Sequence, residues 1–111
     1  MADRDRLAAG DLDRRIVIER AVTTIDALGG ENHAWQELST VWAQVLPISD
    51  GERWQAQEVS AHSTHRFRIR WGMGVTAEDR IRYDGRVFEI SGVKEIGRRI
   101  GQEITAASRA D

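Results

Sequence analysis

The stretch "RIRYDGRVFEI", residues 80–90, constrains this chain more than any other. Asp84-Gly85 separates two alternating runs, and Ile81 and Tyr83 on one arm match Phe88 and Ile90 on the other. A two-residue connection of this composition predicts a type I′ turn. Both central residues must take positive φ there, and glycine does so at no steric cost. Alternation at period two then gives one apolar and one polar face. A β-hairpin with one face against a core follows, so the other segments must supply the rest of that core.

They repeat the pattern. In "GDLDRRIVIER", Leu12, Ile16 and Ile18 fall on one face and Arg15, Val17 and Glu19 on the other. "TTIDALGGEN" gathers Asp26, Gly29 and Gly30, a hairpin or loop signal. The next extended run, Ala34 to Leu46, carries Trp35, Leu38, Val41, Trp42, Ala43, Val45 and Leu46. Near its end both faces are apolar, as expected when one meets the core and the other a neighbour. Pro47, the only proline, ends that strand because it cannot donate to a ladder.

Ser49 and Glu52 then have capping-box spacing, which predicts a short helix over about 50–59. Its apolar stripe of Trp54, Ala56 and Val59 is thin, so the helix is expected to lie on a surface. "HRFRIRW", residues 65–71, reads as the following strand, with Phe67, Ile69 and Trp71 inward. "GMG" at 72–74 breaks it, and Thr76 and Asp79 have cap spacing in a further turn. Ile100, Gln102, Ile104 and Ala106 form the last alternating run, with Gly97 and Gly101 allowing a bend or bulge.

Five to six strands joined mostly by short turns, with one short helix after the second strand, predict a mainly β protein. The expected architecture is a small antiparallel β-barrel. A chain of 111 residues fits one domain. We place it at residues 12–107, after a mobile polar arm at 1–11 and before a tail at 108–111. At this length roughly two-thirds of the unfolded surface can be buried, so one core suffices without staples. The absence of cysteine excludes disulfides and thiolate metal sites. The start, MADRDRLAAGDLDRR, is charged and lacks the apolar stretch of a secretory leader. No apolar run approaches the roughly 20 residues of a membrane helix. A soluble protein of a cytoplasm-like compartment, with no membrane partner, is expected.

Catalytic chemistry finds little purchase. Glu58, His62 and His65 do not share a face in a helix-to-strand passage, and His33 is far off in sequence. No H-E-x-x-H pattern exists, so no metal is expected. Ser39, Ser49, Ser60, Ser63, Ser91 and Ser108 stand in no G-x-S-x-G or S-x-x-K context. Glu78 and Asp79 fall in a turn, where carboxylates are ordinarily solvated. "GMGVTA" lacks the spacing and long following helix of a phosphate loop. We expect no enzyme and no cofactor.

The basic residues comprise fifteen arginines and one lysine, in a chain of net charge −2. Near-neutrality argues against an ordinary electrostatic nucleic-acid binder. Even so, Arg66, Arg68 and Arg70 share one strand face. Arg80, Arg82 and Arg86 would extend it if the two strands pair, making a six-arginine surface able to meet phosphates. Glu19, Glu37, Glu89 and Glu103 on neighbouring strands would instead neutralise those arginines across the ladder. Both readings stay open. Base stacking is disfavoured, because Phe67, Ile69 and Trp71 alternate with the arginines and so face the other way.

The order of these features resembles the head–tail joining proteins of long-tailed bacteriophages, also called head-closure or stopper proteins. The resemblance spans about Gly10 to Thr105. It rests on L-x-x-R-I at Leu12–Ile16, D-x-x-G-G-x(4)-W from Asp26 to Trp35 and V-W-A-x-V at 41–45. Gly51-Glu52 at a helix start and R-I-x-Y-x-G-R-x-F-x-I-x-G-V from Arg80 to Val93 complete it. Each piece is weak alone; order and spacing give the specificity. The chain departs from the pattern in its charged arm at 1–9, and at Trp54, where a smaller or polar residue is expected.

That resemblance implies a β-barrel subunit of a hexameric or dodecameric ring in the neck of a virion or domesticated phage-like particle. The ring would lie between a portal-side adaptor and a tail terminator or tail-tube protein, close the DNA-filled head and dock the tail. Assembly would take place in the bacterial cytoplasm. The segment at about 48–65 would face the channel or neighbouring subunits. Carried over, this makes Trp42, Asp50, Glu52, Arg53, Trp54 and Gln57 the interface or channel candidates. Arg66, Arg68, Arg70, Arg80 and Arg82 become candidates for subunit contact or non-specific contact with packaged double-stranded DNA. A ring would also cover Trp42 and Trp54, which a lone monomer would expose. The alternative is a small barrel that binds nucleic acid through its arginine face.

Overall fold

The computed structural model describes residues 7–48 and 64–108. A 3-10 turn at Ala9–Asp11 precedes six strands: β1 (Arg14–Ile25), β2 (Glu31–Pro47), β3 (His65–Arg70), β4 (Arg80–Tyr83), β5 (Arg86–Ile96) and β6 (Gly101–Ser108). They close into a barrel in the order β1-β2-β3-β6-β5-β4, every neighbouring pair antiparallel. The mainly β barrel expected from the alternation is therefore the fold. The helix anticipated at 50–59 lies outside the described residues.

The β4–β5 hairpin forms at the expected place, Tyr83 pairing with Arg86 across a two-residue turn. Asp84 and Gly85 take φ of 54° and 72°, the left-handed pair that a type I′ turn needs. Its inward side chains join a core of Ile16, Ile18, Ala43, Phe67, Ile69, Val75, Ile81, Phe88, Ile104 and Ala106. Phe67 meets Phe88 edge-on at 5.1 Å and Tyr83 at 6.0 Å. His65 caps this aromatic end, 5.0 Å from Phe88. Burial, and after it the nearby Arg86 charge, push the His65 imidazole below its ordinary pKa and so favour its neutral form.

Two expectations are corrected. Trp71 was placed inward with Phe67 and Ile69, yet β3 ends at Arg70 and the indole is 45% exposed, under the Arg99 guanidinium at 5.9 Å. The chain turns at 71–73, which breaks the alternation one residue early. In addition, β3 and β4 do not pair: β3 lies between β2 and β6, and β4 between β5 and β1. The six-arginine face cannot form. Arg86 leaves it a second way, because it pairs with Tyr83 and shares the face of Phe88, over whose ring it lies at 5.7 Å.

The barrel is only part of the molecule, whose extents are 56 × 29 × 24 Å. β1 contacts β4 only at Val17–Glu19, and β2 contacts β3 only at Gln44–Pro47. Beyond those points the two strands continue as a ribbon with no third strand among the described residues. A bulge marks the exit: Ile18 pairs with Ser39 but Glu19 with Glu37, leaving Leu38 as the extra residue. Bulges bend and twist a ribbon, which aims it away from the barrel. At the tip, the Asp26 carboxylate accepts the N–H groups of Leu28 and Gly30 at 2.9 and 2.8 Å, and Asp26 N–H donates to the Gly30 carbonyl at 2.8 Å. This is the Asp-Gly-Gly turn anticipated from composition, now at the end of an arm.

Gly101 opens β6 where the backbones of β3 and β6 approach each other. A Cβ there would collide with the Ile69 carbonyl and the Leu7 side chain. Gly92, past the β5 bulge, has nothing within 4 Å of the equivalent position. Gly101→Ala should therefore cost about 1–3 kcal/mol in urea unfolding, the usual cost of overpacking. Gly92→Ala should be near neutral, and equal midpoints for the two variants would refute this account of β6.

Candidate functional site

Surface chemistry concentrates at two places, the base of the arm and the outer wall of β2 and β3. At the arm base, successive residues of β1 reach opposite faces. Glu19 is buried and accepts Arg80 Nε at 2.7 Å and Arg82 Nη1 at 3.5 Å. Arg80 also lies 4.2 Å over the ring of Trp35, which covers the pair. On the other face Arg20 forks onto Asp79, Nε to Oδ1 at 2.8 Å and Nη2 to Oδ2 at 3.0 Å, with Nη2 also donating to the Gly74 carbonyl at 3.1 Å.

Asp79 was expected to be a solvated turn carboxylate; its side chain is instead wholly buried. Burial alone would raise its pKa, but hydrogen bonds from Arg20 and the Thr76 N–H outweigh that and hold the carboxyl below its ordinary value. The same hydrogen bond, with the Asp79 charge, raises Arg20. Gln102 secures the rest of this loop, accepting from Val75 N–H at 3.3 Å and donating to Val75 C=O at 3.1 Å. The arm is thus clamped to the barrel by one arginine on each face.

On the outer wall, Arg66 Nε and Arg68 Nε both lie 3.6 Å from Glu103 of β6, and Arg68 also donates to Gln44 Oε1 at 3.4 Å. Arg70, at the end of β3, is exposed. The β2–β3 register that pairs Gln44 with Arg68 sets Trp42 alongside Arg70 two residues on. On the other side Trp42 pairs with Arg15, whose guanidinium is 4.8 Å over the indole. Trp42 is 51% exposed, and with Arg70, Ala9, Gly10, Leu12 and Asp13 it lines an open cleft of about 540 Å³.

The candidates named from sequence thus separate into three groups. Trp42 and Arg70 come together at the cleft, with Arg66 and Arg68 on the same wall beside Glu103. Arg80 and Arg82 stand at the arm base on Glu19. Asp50, Glu52, Arg53, Trp54 and Gln57 lie outside the described residues. The sequence reading missed Arg15, Arg20, Trp35 and Asp79. It also missed that an aromatic group does share the arginine wall. Trp42 arrives from the adjacent strand, and alternation within a single strand carries no sign of it.

Comparison with known proteins adds an identity to this geometry. A family described as phage head completion protein matches residues 7–109. The solution structure of protein SF1141 from Shigella flexneri 2a is similar, with 28% identity and a TM-score of 0.80 over 95% of this chain and 99% of that one. A chain in the virion of a native gene transfer agent particle is 27% identical, with a TM-score of 0.59 over 87% of this chain and 93% of that one. Comparison with curated proteins finds no match.

The Asp79 clamp carries its own acid signature. A carboxyl whose folded pKa is depressed contributes stability above its unfolded value, near 3.8, and loses it as pH falls through the lower folded value. Asp79→Asn should lower the thermal midpoint at pH 7, and the gap from the parent protein should shrink as pH drops below 3.8. A gap that stays constant down to pH 2 would show that the Asp79 charge does not stabilise the fold.

Proposed function

The chain belongs to the family of phage head completion proteins, and from that membership we propose that it is a structural subunit of the virion head–tail junction. It forms a ring in the neck, between the portal-side adaptor and the tail terminator or tail tube. There it closes the DNA-filled head and presents the surface on which the tail docks. The match over residues 7–109, nearly the whole described barrel and arm, carries this reading. The similar chain found in a gene transfer agent virion agrees with a place in a particle, whether phage or domesticated. The role is architectural rather than catalytic.

The described surface fits such a role. Exposed Trp42, Leu46, Trp35 and Leu38 on β2 give apolar area that neighbours in a ring would cover. A repeated heterologous contact closes without leaving any copy's patch bare. Particles made without this protein should contain DNA-filled heads that lose their genome and carry no tails. Electron microscopy and nuclease protection would read both, and tailed, DNA-retaining particles would end the proposal.

A nucleic-acid-binding module is the second reading, and the cleft beside Trp42 and Arg70 is the feature that keeps it. Arg66 and Arg68 face Glu103, and Arg80 and Arg82 face Glu19, so of the five arginines singled out from sequence only Arg70 lies outside these pairs. Binding of the isolated protein to duplex DNA should be weak, with a slope of log affinity against log salt no steeper than about −2, the value for one or two phosphates. Arg70→Ala should remove most of it. A slope near −5 would favour the nucleic-acid reading over the neck subunit.

A further inference from the structure

Beyond its root at Arg20 and Trp35, the arm is not covered by any other described strand. Among the described residues, 20–25 and 31–36 pair only with each other, and a two-stranded ribbon alone is marginal in water. Its tip shows Ile25 and, at 97% exposure, Leu28. It is also acidic. Residues 20–38 hold Asp26, Glu31 and Glu37 against Arg20 alone, whereas residues 64–108 hold nine basic and six acidic groups. The near-neutral whole therefore conceals an acidic arm on a basic barrel.

The barrel carries a surface of matching chemistry. Arg98 and Arg99 are exposed in the β5–β6 turn, and neither forms an ion pair among the described residues. Beside them Trp71 lies exposed under Arg99. An apolar ring flanked by two cations suits a tip made of Leu28 and Ile25 flanked by Asp26 and Glu31. Both surfaces belong to one chain, and no hydrogen bond, ion pair or ring contact joins them among the described residues. The ends of β1, β3 and β5 point the same way round the antiparallel barrel, so arm, Trp71 and Arg98-Arg99 share one end. Copies rotated about an axis parallel to the barrel can therefore engage head to tail and close a ring.

We infer that the β1–β2 arm of one subunit packs on a second copy of this chain, its tip seated on Trp71, Arg98 and Arg99 of the next subunit. The inference rests on the ring reading above and names the contact that builds the ring. Opposite charges steer the encounter and fix the register, while burial of Leu28 and Ile25 against Trp71 supplies the adhesion. The acceptor residues lie in a turn and at a strand end, outside the core, and so do the tip residues. Substitutions in both therefore leave the barrel folded, which circular dichroism verifies.

The chain has no cysteine, so two introduced thiols report one contact. Equal amounts of Leu28→Cys and Arg98→Cys protein, mixed under mild oxidation, should form a disulfide between the two variants, and Arg98→Cys alone should not link to itself. In analytical ultracentrifugation Glu31→Lys, and separately Arg98→Glu with Arg99→Glu, should weaken self-association about tenfold each, the equivalent of 1.4 kcal/mol. Joining Glu31→Lys and Arg98→Glu in one chain should restore part of it. If the protein assembles, but no mixed disulfide forms and the charge variants assemble unchanged, the arm contact is overturned while the ring stands. If the protein stays monomeric at every concentration and with purified adaptor rings, both readings fall.

Discussion

The buried carboxylate of Glu19 holds the point where this barrel closes and where its arm departs. β1 and β4 meet over three residue pairs only, so the seam has little backbone to rely on. Inside it, Ile18 packs against Ile81 in the core; outside, Glu19 draws Arg80 and Arg82 onto β1. Removing Glu19 would leave the largely buried Arg80 guanidinium without its carboxylate, at a cost of about 3–5 kcal/mol, whereas Arg82 is mostly in solvent and matters less. Arginine suits the position better than lysine, since Arg80 uses an edge for Glu19 and a face for Trp35 at once. One residue later Arg20 does the same work on the opposite face with Asp79. A ribbon that would be limp by itself is thereby fixed at its root on both sides.

Local order was legible in the sequence wherever a rule concerns residues close together. The Asp84-Gly85 turn, the Asp26 turn, the inward sets of β1 and β6, and Phe67 and Ile69 of β3 all follow from spacing two to four residues apart, whereas Trp71 does not. The resemblance to head–tail joining proteins was legible too, from motif order. What was hidden depends on separations of 59 to 61 residues, as in Arg20–Asp79 and Glu19–Arg80. No periodicity within one segment encodes which strand will lie next to it. That is why the supposed six-arginine face was drawn across β3 and β4, and why Trp42 was not seen to sit beside Arg70. The bulge at Leu38 was hidden for a related reason. It shifts one strand against another and is a property of the pair.

The arginines illustrate how composition misleads until partners are known. The same residues could have been read as a phosphate-binding face or as half of a set of cross-strand ion pairs. Glu103 and Glu19 take four of the five candidates, and these two glutamates are among the four that the sequence offered as neutralising groups. Charge is nonetheless unevenly spread, because the compensation occurs within the barrel and leaves the arm acidic. Net charge measures solubility and steering for the whole chain. It says nothing about segregation between parts.

Segregation of this kind makes sense for a protein whose partner is itself. A uniformly neutral surface gives a second copy no preferred approach, and a uniformly charged one repels it. An acidic, apolar-tipped arm and a basic, tryptophan-bearing turn on the same chain favour arm-to-turn contact, since two arms repel and two turns repel. Repeated head to tail, such a contact propagates in one direction and must close to leave no unsatisfied end. In the ring proposed above, the arm and the turn would set the direction of assembly, and the apolar wall around Trp42 would be covered by neighbouring copies. If the proposed ring lined its channel with Arg66, Arg68, Arg80 and Arg82, DNA there would meet arginines already held by Glu103 and Glu19, and would be retained by obstruction rather than by adhesion.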